Sequence, residues 1–179
     1  NRMGSIKVRK DADIVLWNDN PLSIYAKHKV EIENYIVNLK GKVSFTPTIL
    51  RFATAFGLSP RMRFDLSVNE FVYELLNQRE LVIYDKDTWR PYCHVKDFAY
   101  LIQLVLEAPL KSIDFQIFNA GCDENNATKQ QIVDLIKEYL PQSNIEYKDM
   151  GFDARNYKVN FKKVRDVLGF KPKFLIKDG

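Results

Sequence analysis

An α/β fold is predicted for this 179-residue chain by two features of its sequence. Short runs of β-branched and aromatic residues alternate with segments whose apolar residues recur at helical spacing. Glycine and proline punctuate most of the junctions, and no stretch repeats.

The elements follow in order. Lys10-Asp11-Ala12-Asp13 reads as a polar turn, Ile14-Val15-Leu16-Trp17 as a short buried strand, and Asn18-Asp19-Asn20-Pro21 as its end. A long helix with a mostly buried side is expected from Pro21, through Ile24, Ala26, Val30, Ile32, Tyr35, Ile36 and Leu39, to a stop at Gly41. Residues 43–56 are rich in β-branched and aromatic residues and read as extended, closed by Gly57-Leu58-Ser59-Pro60. A helix over 64–76 and a strand at 81–84 come next. The helix over 95–107 carries Phe98, Leu101, Ile102, Val105 and Leu106 as one stripe. A strand is expected at 115–119. Thr128 and Gln131 form a capping box at the start of a helix over 128–140. A strand at 145–147 and a helix at 160–168, stopped by Gly169 with Pro172 beyond, complete the chain.

Composition narrows the function classes. Hydrophobic residues make up 46% and charged residues 28%, as in a globular protein. Lys and Arg number 27 against 23 Asp and Glu, a mild excess spread along the chain, so no nucleic-acid partner is expected. No apolar run is long enough for a bilayer span, and no signal peptide is read, so a cytoplasmic location without membrane contact is expected. Cys93 and Cys122 suggest neither a disulfide framework nor a metal site, and Cys93 beside His94 does not make a nucleophile pair.

Two Tyr/Lys pairs at a spacing of four could tune a phenol: Tyr25 with Lys29, and Tyr92 with Lys96. A neighbouring ammonium favours phenolate, and a phenol so tuned can take a proton from a hydroxyl. The first pair falls on a predicted helix, where residues four apart share a face. The second follows Pro91 in what reads as a loop or strand entry, where they do not.

Six motifs in order carry a resemblance. They are Asn20-Pro21-Leu22-Ser23-Ile24-Tyr25 with Lys29; Leu50-Arg51-Phe52-Ala53-Thr54-Ala55-Phe56-Gly57; and Ser59-Pro60-Arg61-Met62-Arg63-Phe64-Asp65 with Asn69. Trp89-Arg90-Pro91-Tyr92-Cys93-His94-Val95-Lys96-Asp97 follows, then Phe118-Asn119-Ala120-Gly121 with Thr128, and finally Asp153-Ala154-Arg155-Asn156-Tyr157 with Leu168-Gly169-Phe170-Lys171-Pro172. Residues 20–179 thereby resemble the C-terminal region of extended short-chain dehydrogenase/reductases, the NAD-dependent nucleotide-sugar epimerases and dehydratases.

The resemblance implies a Rossmann-like α/β fold with a small substrate-binding lobe. It makes Tyr25 the acid/base and Lys29 its tuner and a cofactor ribose contact. It puts Thr54 beside the nicotinamide. Asn69, Arg90 and Arg155 become substrate-diphosphate contacts, with both guanidinium groups on one anion site; forked guanidinium donors suit phosphate oxygens. The family's cofactor is NAD or NADP, and its substrate is a nucleotide sugar. The glycine-rich turn of a dinucleotide-binding half has no counterpart among the seven glycines. The expectation is therefore an incomplete fragment that alone binds no cofactor, is inactive as an enzyme, and exposes apolar faces that favour a homo-oligomer. A non-catalytic nucleotide-sugar-binding or structural fragment is the alternative.

Residues 1–19 read differently. Gly4-Ser5-Ile6-Lys7-Val8-Arg9-Lys10-Asp11-Ala12-Asp13-Ile14-Val15-Leu16-Trp17 resembles the C-terminal tail of metal-dependent amidohydrolases, with Arg9 where that family usually has Gly. With His28 and His94 as the chain's two histidines, amidohydrolase activity is not expected. The two resemblances overlap at residues 18–27, and a junction between two unrelated genes at that shared stretch would explain both; a divergent N-terminus is the alternative.

Overall fold

The computed structural model describes the backbone of residues 23–151 and 156–179, and side chains from residue 27 onward outside 152–155. The strand expected at 14–17, the amidohydrolase-like segment and Arg155 lie outside the described residues.

Helices and strands alternate as expected. Helix α1 spans Ser23–Val37. Strands β1 (Thr48–Phe52) and β2 (Thr54–Phe56) follow, separated by Ala53 alone. Then come α2 (Ser67–Leu76), β3 (Leu81–Tyr84), β4 (Trp89–His94), α3 (Val95–Glu107), α4 (Leu110–Ile113) and β5 (Gln116–Ala120). The chain continues through β6 (Asn126–Thr128), α5 (Lys129–Tyr139), β7 (Ile145–Lys148) and α6 (Lys162–Leu168).

The strands pair over long sequence distances. β1 lies parallel to β5, with Thr48 opposite Gln116 and Phe52 opposite Ala120. At Ala53, whose N–H donates to Ala120 O at 3.0 Å, the chain changes partner. β2 then runs parallel to β4, with Thr54 opposite Tyr92. β4 pairs on with β6 in antiparallel sense, and β3 pairs parallel with β7. Parallel pairs require crossovers, which the intervening helices supply.

Two apolar clusters hold these layers. One gathers Phe56, Phe71, Leu75, Ile83, Tyr92 and Ile132. The other gathers Leu101, Phe118, Phe161, Val164 and Phe170. α5 begins with the expected capping box: Thr128 Oγ1 accepts from Gln131 N at 3.1 Å, and Gln131 Oε1 accepts from Thr128 N at 2.9 Å. α6 stops at Gly169, whose φ of 63° is the left-handed value that favours glycine.

Several expectations need correction. Among the described residues α1 does not have a mostly buried side: Ile32 is 56% exposed and Tyr35 67%. The helix also ends at Val37 rather than running to Gly41. Residues 43–47 are not strand; Pro47, which has no N–H, precedes β1 and accepts from Phe115 N. The apolar stripe of α3 is split. Leu101 and Val105 are buried, while Ile102 and Leu106 turn outward because they sit about 100° further round the helix. Of the two readings for the segment around Tyr92, loop or strand entry, the strand is found, and Tyr92 lies within it rather than at its entry.

Candidate functional site

The candidate acid/base helix is α1. Tyr25 lies in its first turn and Lys29 one turn on, so the expected spacing of four falls on continuous helix. The Tyr25 side chain lies outside the described residues; Lys29 is exposed. Among the described side chains of α1 little apolar burial holds the helix. A forked ion pair ties it to β1 instead: Arg51 Nε donates to Glu33 Oε2 at 2.7 Å, and Arg51 Nη2 donates to Glu33 Oε1. Both side chains are largely withdrawn from solvent, 24% and 17% exposed.

Strand β1 leads through Ala53 directly into Thr54, so this ion pair and the candidate nicotinamide-side residue share one stretch of chain. Thr54 is half-buried on β2. At the end of β2, Gly57 has φ +93°, and a Cβ there would fall 2.1 Å from His94 Nε2. Only glycine fits both the backbone and the space.

Asn69 then fixes the turn from below. Its Oδ1 accepts from Gly57 N at 3.1 Å and its Nδ2 donates to Arg63 O at 3.1 Å. Both ends of the amide are thus engaged in shaping the loop over residues 57–65.

The rival pair is disqualified by its surroundings. Tyr92 is fully buried on β4, its hydroxyl lies 3.2 Å from Ser67 Oγ, and burial raises its pKa. Such a phenol resists ionisation. Its strand continues straight into α3, so Lys96 is on a different element.

Cys93 and His94 form no nucleophile pair. Burial pushes the Cys93 thiol well above its ordinary value and the Cys122 thiol to about 12. The His94 ring serves structure: Nδ1 accepts from Lys96 N at 3.1 Å, capping α3, and the ring stacks on Phe174 at 4.4 Å. Among the described residues no group of His, Cys, Asp or Glu could hold a metal ion. No described helix is long and apolar enough to cross a membrane.

Arg90 sits near the start of β4. Its Nη1 is buried and its guanidinium lies 5.7 Å from the Tyr157 ring centre. The segment following residue 155 docks on the same strand: Trp89 N donates to Asn156 Oδ1 at 2.9 Å, and Tyr157 N donates to Trp89 O at 3.2 Å. A polar cleft of about 220 Å³ opens here, lined by Asp85, Lys86, Asp87, Thr88, Asp149 and Asn156. Lys158 lies 3.5 Å from the centre of the Trp89 ring. The expected convergence of Arg90 with Arg155 falls on a residue outside the described set.

Sequence reading missed two buried polar clamps. Asp97, 1% exposed, accepts from Lys173 N at 2.9 Å and Phe174 N at 3.1 Å. Asn125, equally buried, donates to Phe174 O and accepts from Ile176 N, both at 3.1 Å. Together they pin the C-terminal strap across β4 and α3. Asp97 stood in a quoted motif, but its partners lie 76 and 77 residues away, beyond any local signal.

Comparisons with known proteins bear on the family and the fold. The family described as "NAD dependent epimerase/dehydratase family" matches residues 6–121, so its match begins ahead of the boundary expected near residue 20. A UDP-glucuronate 4-epimerase of Thermodesulfobacterium geofontis is 24% identical over 167 residues, covering 90% of this chain and 49% of that protein. A UDP-glucose 4-epimerase of Thermotoga maritima, solved with UDP-glucose, superposes with a TM-score of 0.76 at 26% identity, covering 89% of this chain and 52% of that one. A dTDP-glucose 4,6-dehydratase of Bacillus anthracis, solved with NAD, gives 0.74 at 24% identity, covering 90% of this chain and 51% of its own, a likeness of fold. The chain spans about half the length of these relatives. Rossmann-like in its α/β fold and matched over well more than half its length, it belongs to the NAD-dependent epimerase/dehydratase family.

Proposed function

We propose that this chain is the acid/base and substrate-binding portion of an NAD(P)-dependent epimerase or dehydratase acting on a nucleotide-activated sugar. One observation carries the reading: Arg90, its guanidinium beside the Tyr157 ring, and the segment just after residue 155 meet on one strand. Arg90, with Arg155 as the second arginine the resemblance assigns to the same anion, would bind a diphosphate through forked, charge-assisted hydrogen bonds. The named relative that was solved with UDP-glucose supports a uridine diphosphate sugar as the ligand class.

In this reading Tyr25 exchanges a proton with a sugar hydroxyl, and Lys29 favours its phenolate form. Asn69 holds the turn at Gly57 and with it the loop that would border the sugar. NAD(P), when bound, supplies hydride acceptance and return. Lys29 and Thr54 fit the ribose and nicotinamide end of such a cofactor. The pyrophosphate does not fit this chain's residues, because no glycine-rich turn at a helix start is present in the sequence.

The test is calorimetric titration of the chain with UDP and, separately, with NAD. UDP binding without NAD binding is the expected result. Binding of neither supports the alternative, a structural fragment without ligand. Arg90→Ala should weaken UDP binding by about 1.5–3 kcal/mol, the worth of a hydrogen bond to a charged group. An unchanged affinity removes Arg90 from the site.

A further inference from the structure

We propose that the Glu33–Arg51 fork is a positioning device that locks α1 to the strand leading into Thr54. It rests on the functional reading for Tyr25 and Lys29 as the acid/base pair.

A helix normally docks by burying an apolar stripe. Among its described side chains α1 does so poorly: Ile32, Tyr35 and Val37 are exposed, and Val30 and Ile36 are only half-buried. Directional contacts then have to fix its rotation and its position along its own axis. The Glu33–Arg51 pair has the required geometry. Two parallel N–H···O bonds from one planar guanidinium to one carboxylate define a plane as well as a distance. A single-point contact, such as a lysine would give, leaves rotation free. The pair is largely withdrawn from water, so it is less screened than a surface ion pair. By contrast, the Lys27–Glu31 pair on the same helix, at 3.9 Å, is exposed and stays within α1.

The placement matters as much as the strength. Glu33 stands one turn beyond Lys29 and two beyond Tyr25. Arg51 stands three residues before Thr54, and the intervening Ala53 is bonded to β5 through Ala120 O. One contact therefore connects the helix bearing the proton-transfer residues to the strand bearing the nicotinamide-side residue. A shift of about 1 Å between such groups is enough to cost a large factor in rate. Loss of the fork should leave the nucleotide end of the site, on β4, untouched.

Spin-label distance measurements on the whole chain test this. Labels at Lys27→Cys on α1 and Lys111→Cys on α4 report the helix position; Lys111→Cys with Lys137→Cys is the control pair within the body. Cys93 and Cys122 are buried and do not compete for label in the folded chain. In Arg51→Gln and in Glu33→Gln, the α1 distance distribution should broaden at least about twofold while the control stays narrow, and α1 amides should exchange roughly tenfold faster. The double exchange Glu33→Arg with Arg51→Glu should narrow the distribution again. An α1 distribution of wild-type width in the single variants overturns the proposal. So does equal broadening of the control pair, which would show general loosening, or a double exchange that stays broad.

UDP titration of the same variants separates this from the functional reading. If the wild-type chain binds UDP, the variants should bind within about twofold of it, as expected for distant, independent sites. A parallel loss of UDP affinity overturns a role confined to α1. If the wild-type chain binds no UDP, the functional reading fails while the distance result still decides whether the fork locks the helix.

Discussion

Tyr25 and Tyr92 each have a lysine four residues on, and what separates them is the element that carries the pair. Tyr92 is packed at the centre of a core with its hydroxyl against Ser67, whereas Tyr25 lies in the first turn of a helix whose described side chains are exposed or half-buried. In a chain completed with a cofactor half, Tyr25→Phe should abolish turnover and leave substrate binding nearly unchanged. Turnover comparable to the parent would remove Tyr25 from the chemistry. That Tyr25 and Lys29 share one helix was legible, because the segment after Pro21 has helical spacing. The burial of Tyr92 was not legible, because it depends on Phe56, Ile83 and Ile132 arriving from three other elements.

His94 makes a second prediction at this scale. Burial lowers its pKa; the nearby Asp97 carboxylate works against that and Lys96 works with it. Folding thus favours the neutral ring, whose Nδ1 must stay unprotonated to accept from Lys96 N. A group with a depressed folded pKa binds more protons when unfolded, so its stabilising effect is full above the unfolded value near 6.5. It is lost as pH falls below that value toward the folded pKa. The melting temperature should drop between pH 7.5 and 5.5 in the wild type, and His94→Asn, which keeps a capping acceptor, should show a shallower drop. Identical slopes in the two proteins would exclude His94 as the source.

At the scale of elements, amphipathic periodicity and capping were the dependable signals. The helix over 95–107 and the capping box at Thr128 stand where the sequence put them. Strand limits were less legible over 43–56, because β-branched and aromatic residues also fill irregular segments that pack on a core. Least legible was the strap over 173–176, which has neither regular period nor strand pairing. Its place is set by side chains from α3 and from the turn after β5. The Asp97 carboxylate meets two backbone N–H groups with almost no water, so Asp97→Ala should leave both donors unsatisfied and cost about 2–4 kcal/mol. Asp97→Asn keeps one acceptor oxygen and should cost less. Urea unfolding of the three proteins checks the order; an Asp97→Ala chain as stable as the parent would show that the strap is held by Phe174 and Ile176 packing alone.

At the scale of the whole molecule, the described fold holds strands that pair only in part. β1 is bonded to β5 on one side, and Phe52 at its end is 49% exposed, as are Ile32 and Tyr35 on α1 to a larger degree. Relatives of about twice this length match it over half of theirs. We therefore expect the isolated chain to self-associate, with a mass by sedimentation that rises with concentration; a monomer at every concentration would show that these faces are tolerated in water. The same architecture bears on the cofactor. Dinucleotide binding depends on a pyrophosphate held against backbone N–H groups at a helix start, which needs glycines for close approach. The seven glycines here include no such cluster, and Gly57 is filled from below by the His94 ring. Lys29 and Thr54 alone offer too few contacts to offset the loss of freedom of a bound dinucleotide. Calorimetry with NAD should accordingly show no measurable heat of binding for this chain, while a chain joined to a glycine-rich βαβ half should bind. Micromolar binding at one site per chain would mean that these 179 residues build a complete cofactor pocket by a route other than a glycine-rich turn.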